Sequence, residues 1–143
     1  MTEPVQIGRA TLYLGDCRDI LPTLSGIGAL VTDPPYILNE TTGGTTGSAK
    51  TGAWQGLIGA ADAKAGFNYH LDWREWVHLA VDALAPQSHI FVMTNDKNLE
   101  RALSAFRSSS AKLHNIVGWI KPNATPNRWF MKNLEFTVFM RKG

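Results

Sequence analysis

The sequence has few residues that could support disulfide, metal or membrane chemistry. Cys17 is the only cysteine among 143 residues, which excludes an internal disulfide and a cysteine-based zinc site. The four histidines are scattered without a second ligand at metal-binding spacing, so we predict no metal site. No apolar run approaches the ~18 residues that a membrane-spanning helix needs. Residues 1–10 lack the basic start and apolar stretch of a signal peptide, and we expect a cytoplasmic protein.

The pattern of apolar residues predicts a single α/β domain. The length suits one domain, and the 44% apolar content is typical of a globular protein. We predict strands at residues 10–14, 27–32, 90–93, 115–120 and 134–140. Helices are predicted at residues 19–24, 72–85 and 96–108. This alternation indicates a doubly wound α/β domain.

Three details of this prediction concern the helices and the following strand. Asp72 is the predicted N-cap of the helix that Pro86 ends, and Asn95 or Asp96 the predicted N-cap of the next. Trp73 and Trp76 fall on the apolar face of their helix, where a place in the core is favoured over a base-stacking role. The Lys121-Pro122-Asn123 segment is predicted to break the strand that precedes it.

Residues 37–70 are rich in glycine and threonine, with few apolar residues before Phe67 and Tyr69. A segment this long without secondary structure is uncommon inside a compact domain and is often functional or mobile. We predict a flexible loop that folds over a bound ligand. A surface excursion without a role is the alternative.

The most informative segment is Leu-Val-Thr-Asp-Pro-Pro-Tyr, from Leu30 to Tyr36. Residues 27–32 form an apolar strand, and the two prolines cannot extend it because they lack N–H donors. Asp33 therefore falls where a parallel strand ends, which is the usual place for a ligand site in an α/β sheet.

These residue types suit methylation of an exocyclic amine. The nitrogen lone pair of such an amine is delocalised into the ring. Two groups that accept hydrogen bonds from the amine would draw the nitrogen toward sp³ geometry and free that lone pair. Asp33 and the Pro34 carbonyl would be the acceptors, Pro35 would keep the turn rigid, and Tyr36 would stack on a base outside the helix. Positioning and electrostatics would supply most of the catalysis.

Asp33-Pro34-Pro35-Tyr36 resembles the catalytic motif of the DNA amino-methyltransferases, which methylate adenine N6 or cytosine N4 with S-adenosylmethionine. The resemblance implies a reduced Rossmann-like methyltransferase fold, with a mixed sheet, an antiparallel last strand and helices on both faces. It also implies that DNA is the substrate, so that the loop at residues 37–70 would fold over bound DNA or cofactor. Asp as the first motif residue favours adenine N6, because Ser is commoner among the cytosine N4 enzymes.

The resemblance extends to other residues. Gly15-Asp16-Cys17 is similar to a family segment whose acid helps to hold the adenosine of the cofactor. The cofactor-binding residues implied are thus Asp16, Cys17, Asp33 and Pro34. The region after Trp119 would contact the target base or the DNA backbone, through Lys121, Asn123, Arg128, Trp129 and Phe130. For Trp129 and Phe130, packing of the loop onto the sheet is the alternative.

Charge gives weaker support for DNA binding. Residues 112–143 contain six Lys and Arg residues and a single acid, Glu135. A basic segment of this kind fits a phosphate backbone, and a solvated face with a basic tail explains it equally well.

One family feature is missing, the Phe-x-Gly-x-Gly loop that approaches the cofactor. The family includes a permuted subgroup, in which the Asp-Pro-Pro-Tyr motif lies near the N-terminus. In that subgroup the cofactor loop follows the strand that corresponds to residues 134–140, the last strand predicted here. The sheet would then lack its first two strands, and the strand at residues 10–14 would lose its neighbour and expose apolar edges. We therefore expect a homodimer, or a second chain that completes the sheet. The alternatives are a truncated remnant and a reduced cofactor pocket rebuilt around Asp16 and Asp33.

The sequence thus predicts a DNA amino-methyltransferase. The main alternative is a catalytically incomplete domain that binds DNA or a partner. Methylation of a protein glutamine amide uses a similar motif. It is disfavoured because enzymes of that kind carry their cofactor loop upstream of the motif, and only 32 residues precede Asp33.

Overall fold

The computed structural model describes residues 3–34, 71–125 and 130–143. The chain divides into two compact units, one formed by Met1–Pro34 with Asp72–Gly143 and the other by Pro35–Leu71. Nearly all of the second unit lies outside the described residues, and so does the loop predicted at residues 37–70. The fold below is that of the first unit.

Six strands and three α-helices are described. The strands are β1 Val5–Ile7, β2 Ala10–Leu12, β3 Ile27–Thr32, β4 Leu84–Thr94, β5 Ala111–Thr125 and β6 Lys132–Lys142. The helices are α1 Cys17–Ile20, α2 Trp73–Ala83 and α3 Leu99–Arg107, and a 3₁₀ turn, Leu21–Thr23, follows α1. No described helix has the length and apolar character that crossing a bilayer requires.

The main sheet has the strand order β3-β4-β6-β5. β3 and β4 are parallel, whereas β6 runs antiparallel to both β4 and β5. The predicted mixed sheet with an antiparallel last strand is therefore confirmed. β3 is an edge strand of this sheet in the described part of the chain.

The core lies between α2, α3 and one face of the sheet. The Asp72 side chain caps α2 as predicted, accepting a hydrogen bond from the Arg74 N–H at 3.0 Å. Trp73 and Trp76 are buried, with ring centroids 5.6 Å apart, and Trp76 meets Phe106 of α3 edge-on at 6.3 Å. The prediction that both tryptophans belong to the core is confirmed.

The second long helix begins later than predicted. Its N-cap is Asn98, and neither Asn95 nor Asp96 caps it. The Asn95 side chain instead accepts a hydrogen bond from the Asn98 N–H at 3.0 Å, so it stabilises the turn before the helix. An Asx side chain can stabilise a turn or a helix start, and the sequence does not distinguish the two roles.

Two strands extend through prolines. A strand break was predicted only at Pro122, whereas Pro86 was predicted to end the preceding helix, and α2 does end before it, at Ala83. β4 begins at Leu84, and it passes Pro86 by an irregularity in which Gln87 has φ +64°. β5 continues through Pro122 to Thr125, with a register shift between Ile120 and Thr125. Proline is tolerated at bulges and on edge strands, and β5 is an edge strand of the sheet as far as the structure describes it.

The two faces of the sheet differ. Alternate residues of β4, including Ile90 and Val92, are buried, whereas Phe91 and Met93 are exposed. Phe91 stacks on Phe139 of β6 at 4.8 Å. We call the second face the open face; it carries Val31, His89, Phe91, Met93, His114, Val117, Trp119 and Phe139. Helices were predicted on both faces, but the long helices of the described part cover one.

β1 and β2 form a separate two-stranded sheet. β2 ends two residues earlier than predicted, and no ladder between β2 and β3 is present among the described residues. Apolar side chains remain exposed around this hairpin, with Ile7 61% and Leu14 78% exposed. Among the described residues β2 therefore pairs with β1, a strand that was not predicted, and the expectation that residues 10–14 form a strand of the main sheet is wrong.

Candidate functional site

Asp33 and Pro34 directly follow β3, at the carboxyl end of a parallel strand. β3 has the predicted bounds, so both residues lie where the sequence placed them. Asp33 is exposed and Pro34 is buried. Because Pro34 is buried, the backbone next to the exposed Asp33 carboxylate is held in place. This arrangement suits a carboxylate that binds a ligand in a defined orientation. Pro35 and Tyr36 lie outside the described residues.

The sheet topology brings the predicted substrate-binding region to the same edge. Thr32 of β3 pairs with Val92, and Val92 with Val138 of β6, which runs in the opposite direction. The end of β5 and the start of β6 therefore emerge on the side of Asp33. Three strand spacings separate β3 from β5, or about 14 Å.

In that region, Lys121 donates a hydrogen bond to Glu135 Oε1 at 2.5 Å, and Asn123 is exposed. The positive charge of Lys121 is thus paired with a carboxylate. Phe130 is 82% exposed, which is inconsistent with the alternative that its ring packs on the sheet. Arg128 and Trp129 lie outside the described residues.

Asp16 is the N-cap of α1, and it is bound by a neighbour that sequence reasoning missed. Its carboxylate accepts hydrogen bonds from Arg18 Nε at 3.0 Å and Nη2 at 2.6 Å. Arg18 also donates to Glu75 of α2 at 2.5 Å. The hydrogen bonds from Arg18 lower the pKa of Asp16 to about 2, so this carboxylate is ionised at neutral pH.

Cys17 follows Asp16 and is half-buried. Burial, together with the adjacent Asp16 carboxylate, raises the pKa of the Cys17 thiol. The thiol therefore stays protonated at neutral pH and is a poor nucleophile. The raised pKa argues against a covalent catalytic role for Cys17.

The chemistry of Asp16 and Asp33 fits a nucleoside cofactor. Both are exposed carboxylates, which can accept hydrogen bonds from sugar hydroxyls or amines. The described residues do not bring three His, Cys, Asp or Glu side chains together as a metal site requires.

A mixed α/β sheet with an exposed carboxylate and a buried proline at the carboxyl end of a parallel strand is an arrangement in which open α/β domains bind ligands. The chain belongs to the N6/N4 DNA methylase family: residues 27–143 match the family described as DNA methylase. This match includes Asp33, Pro34 and the whole main sheet.

The sequence relatives are bacterial type II methyltransferases. The chain is 28% identical over 120 residues to the type II methyltransferase M2.DpnII of Streptococcus pneumoniae, covering 79% of this chain and 42% of that protein. It is 30% identical over 120 residues to M2.LlaDCHI of Lactococcus lactis subsp. cremoris, with the same coverage of each protein. The chain thus spans about half the length, or less, of these curated relatives.

Solved structures support the fold. The M1.HpyAVI–SAM complex has a TM-score of 0.58 and 14% identity, covering 91% of this chain and 54% of that one. The putative DNA modification methylase TTHA0409 of Thermus thermophilus, in complex with S-adenosyl-L-methionine, has a TM-score of 0.57 and 19% identity, covering 90% and 54%. The chain has a reduced form of the fold of S-adenosylmethionine-dependent methyltransferases.

Proposed function

We propose that this chain takes part in the methylation of an exocyclic amine in DNA by S-adenosylmethionine, at adenine N6 rather than cytosine N4. The observation that carries the proposal is Asp33: an exposed carboxylate ahead of a buried proline, at a strand end within the family match. A DNA-modifying role also agrees with the cytoplasmic location predicted from the sequence.

The chain's own residues prepare the amine. The Asp33 carboxylate and the Pro34 carbonyl each accept a hydrogen bond from one N–H of the amine. These two hydrogen bonds draw the nitrogen toward tetrahedral geometry and free its lone pair. Asp16, Cys17, Asp33 and Pro34 would hold the cofactor. S-adenosylmethionine, when bound, supplies a methyl group on a sulfonium sulfur. Pro35 would keep the turn rigid, and Tyr36 would stack on the base.

The substrate side of the proposal rests on the edge that Asp33 shares with the end of β5. Lys121, Asn123, Arg128, Trp129 and Phe130 would bind the flipped base or its backbone. Among them, Phe130 presents an exposed ring, and such a ring can stack on any base.

We expect Phe130→Ala to weaken the binding of duplex DNA about tenfold, since stacking on one base contributes roughly 1–3 kcal/mol. Its exposed ring predicts little change in the melting temperature. Fluorescence anisotropy with labelled DNA at fixed salt measures the affinity. Met131→Ala is the matched control, because Met131 is the next residue and is 63% exposed. Equal affinity for both variants would remove Phe130 from the DNA site.

The open face, and the edge of β3 that is unpaired in the described sheet, support the expected association of this chain with a second copy or a second chain. Val31 is 66% and Trp119 57% exposed on that face, and β3 has one hydrogen-bonded neighbour in the described sheet. Exposed apolar faces and unpaired strand edges favour association. A second copy or a second chain would complete the sheet.

The same face favours the second candidate, a DNA-binding or partner-binding domain without catalysis. Calorimetric titration with S-adenosylmethionine, followed by transfer of tritiated methyl groups to duplex DNA, separates the two. Saturable binding and label in N6-methyladenine support the proposal, and label in N4-methylcytosine corrects its target base. DNA affinity with no donor binding at millimolar concentration would support the second candidate.

A further inference from the structure

The Asp16 carboxylate is largely engaged by one residue. Oδ1 accepts hydrogen bonds from the Arg18 backbone N–H at 2.8 Å and from Arg18 Nε at 3.0 Å. Oδ2 accepts one from Arg18 Nη2 at 2.6 Å. An ionised carboxylate offers about four acceptor positions. Among the described residues Arg18 fills three of them, which leaves one position on Oδ2 for a ligand.

Arg18 is itself anchored to another element. Its Nη1 donates to Glu75 Oε2 at 2.5 Å, in the first turn of α2. The guanidinium group is planar, and its two-pronged contact with Asp16 fixes the orientation of the carboxylate as well as its position. Asp16 is thus tied through Arg18 to the helix that packs in the core.

We propose that Arg18 is a positioning residue, which holds the Asp16 carboxylate so that the open position of Oδ2 accepts a hydrogen bond from the adenosine of S-adenosylmethionine. This rests on the proposed function, because binding of the cofactor by Asp16 is part of that function. The lowered pKa of Asp16 keeps the carboxylate an acceptor.

Two simpler roles for Arg18, a purely structural ion pair and an effect of its charge alone, lead to different expectations for cofactor binding. The side chains of Arg18, Asp16 and Glu75 are 41%, 38% and 44% exposed, and ion pairs at such exposure stabilise a fold only weakly. A purely structural role would therefore leave cofactor affinity unchanged. S-adenosylmethionine carries a net positive charge at neutral pH, so loss of a nearby cation would by charge alone tighten its binding. Positioning predicts weaker binding.

The test is calorimetric titration of the full chain and its variants. We expect Arg18→Ala to weaken the binding of S-adenosylmethionine about tenfold, since misplacing one contact group has effects of this order or larger. S-adenosylhomocysteine should lose the same factor, because it shares the adenosine and lacks the sulfonium charge. Arg18→Lys keeps the charge but loses the planar guanidinium group that contacts both oxygens of Asp16. It should therefore recover less than half of the free energy of binding that Arg18→Ala loses.

Arg74→Ala is the matched control. Arg74 is exposed, precedes Glu75 and carries the same charge as Arg18, so its removal reports the effect of charge alone. Glu75→Gln should weaken binding less than Arg18→Ala, and the double variant should bind no worse than Arg18→Ala, because both changes act through Arg18.

An NMR titration of the Asp16 carboxyl carbon separates the possible failures. Its pKa should rise from about 2 toward the ordinary 3.8 in Arg18→Ala. An unchanged pKa, or unchanged or tighter cofactor binding by Arg18→Ala, would overturn the positioning role and leave the proposed function in place. A wild-type chain that does not bind the cofactor would overturn both.

Discussion

Asp33→Ala is expected to reduce methyl transfer to DNA by about 10³-fold, while the fold stays intact. Removal of one group that stabilises developing charge commonly costs a factor of about 10²–10³. Here the loss also removes one of the two proposed acceptors for the amine hydrogens. Asp33 is exposed, and surface substitutions usually change stability by less than about 0.5 kcal/mol. Methyl transfer from labelled cofactor, alongside thermal unfolding, measures both effects.

Two further variants sharpen this prediction. Asp33→Asn preserves the shape of the side chain but puts an NH₂ group where one amine hydrogen should be accepted, so it should also be strongly impaired. Asp82→Ala is the control, because Asp82 is an exposed acid on α2, at the end of that helix. If Asp33→Ala kept more than about a tenth of wild-type activity, the role assigned to Asp33 would be wrong.

Trp76→Ala should destabilise the domain by about 3–5 kcal/mol, the usual cost of deleting a buried aromatic side chain. Trp76 is 6% exposed, and it packs between Trp73 and Phe106, so it joins α2 to α3. A loss of this size is a large share of the roughly 5–15 kcal/mol that stabilises a typical domain. Urea unfolding followed by circular dichroism measures the change in the free energy of unfolding.

Trp119→Ala provides the comparison for this core prediction. Trp119 has the same side chain but is 57% exposed on the open face, so we expect a loss below about 1 kcal/mol in the isolated chain. Equal losses for the two variants would show that the open face is buried in solution. That result would point to self-association, and sedimentation analysis of both variants would test it.

Local signals were sufficient for much of the fold. The bounds of β3 and the Asp72 cap of α2 were predicted because an apolar run ended by prolines and an Asx cap act over a few residues. Starts and ends that depend on more distant partners were predicted less well. β5 passes Pro122 because β6 pairs with it on both sides of the register shift.

The same division applies to the candidate site. The short Asp-Pro-Pro-Tyr motif at the end of β3 identified the family, and the match over residues 27–143 confirms that identification. Arg18 and Glu75 were missed, since 57 residues separate them and an exposed ion pair leaves no periodic signal in a sequence.

The sequence by itself determined the family, the position of Asp33 at the end of a strand, and the apolar faces of the helices. These depend on side-chain chemistry and short-range periodicity, which can be read along the chain. Only the tertiary structure decided that Arg18 links Asp16 to α2 and that Phe130 is exposed. It alone showed that one face of the sheet is exposed in the part of the chain that the structure describes, because burial is set by contacts between segments that are distant in sequence.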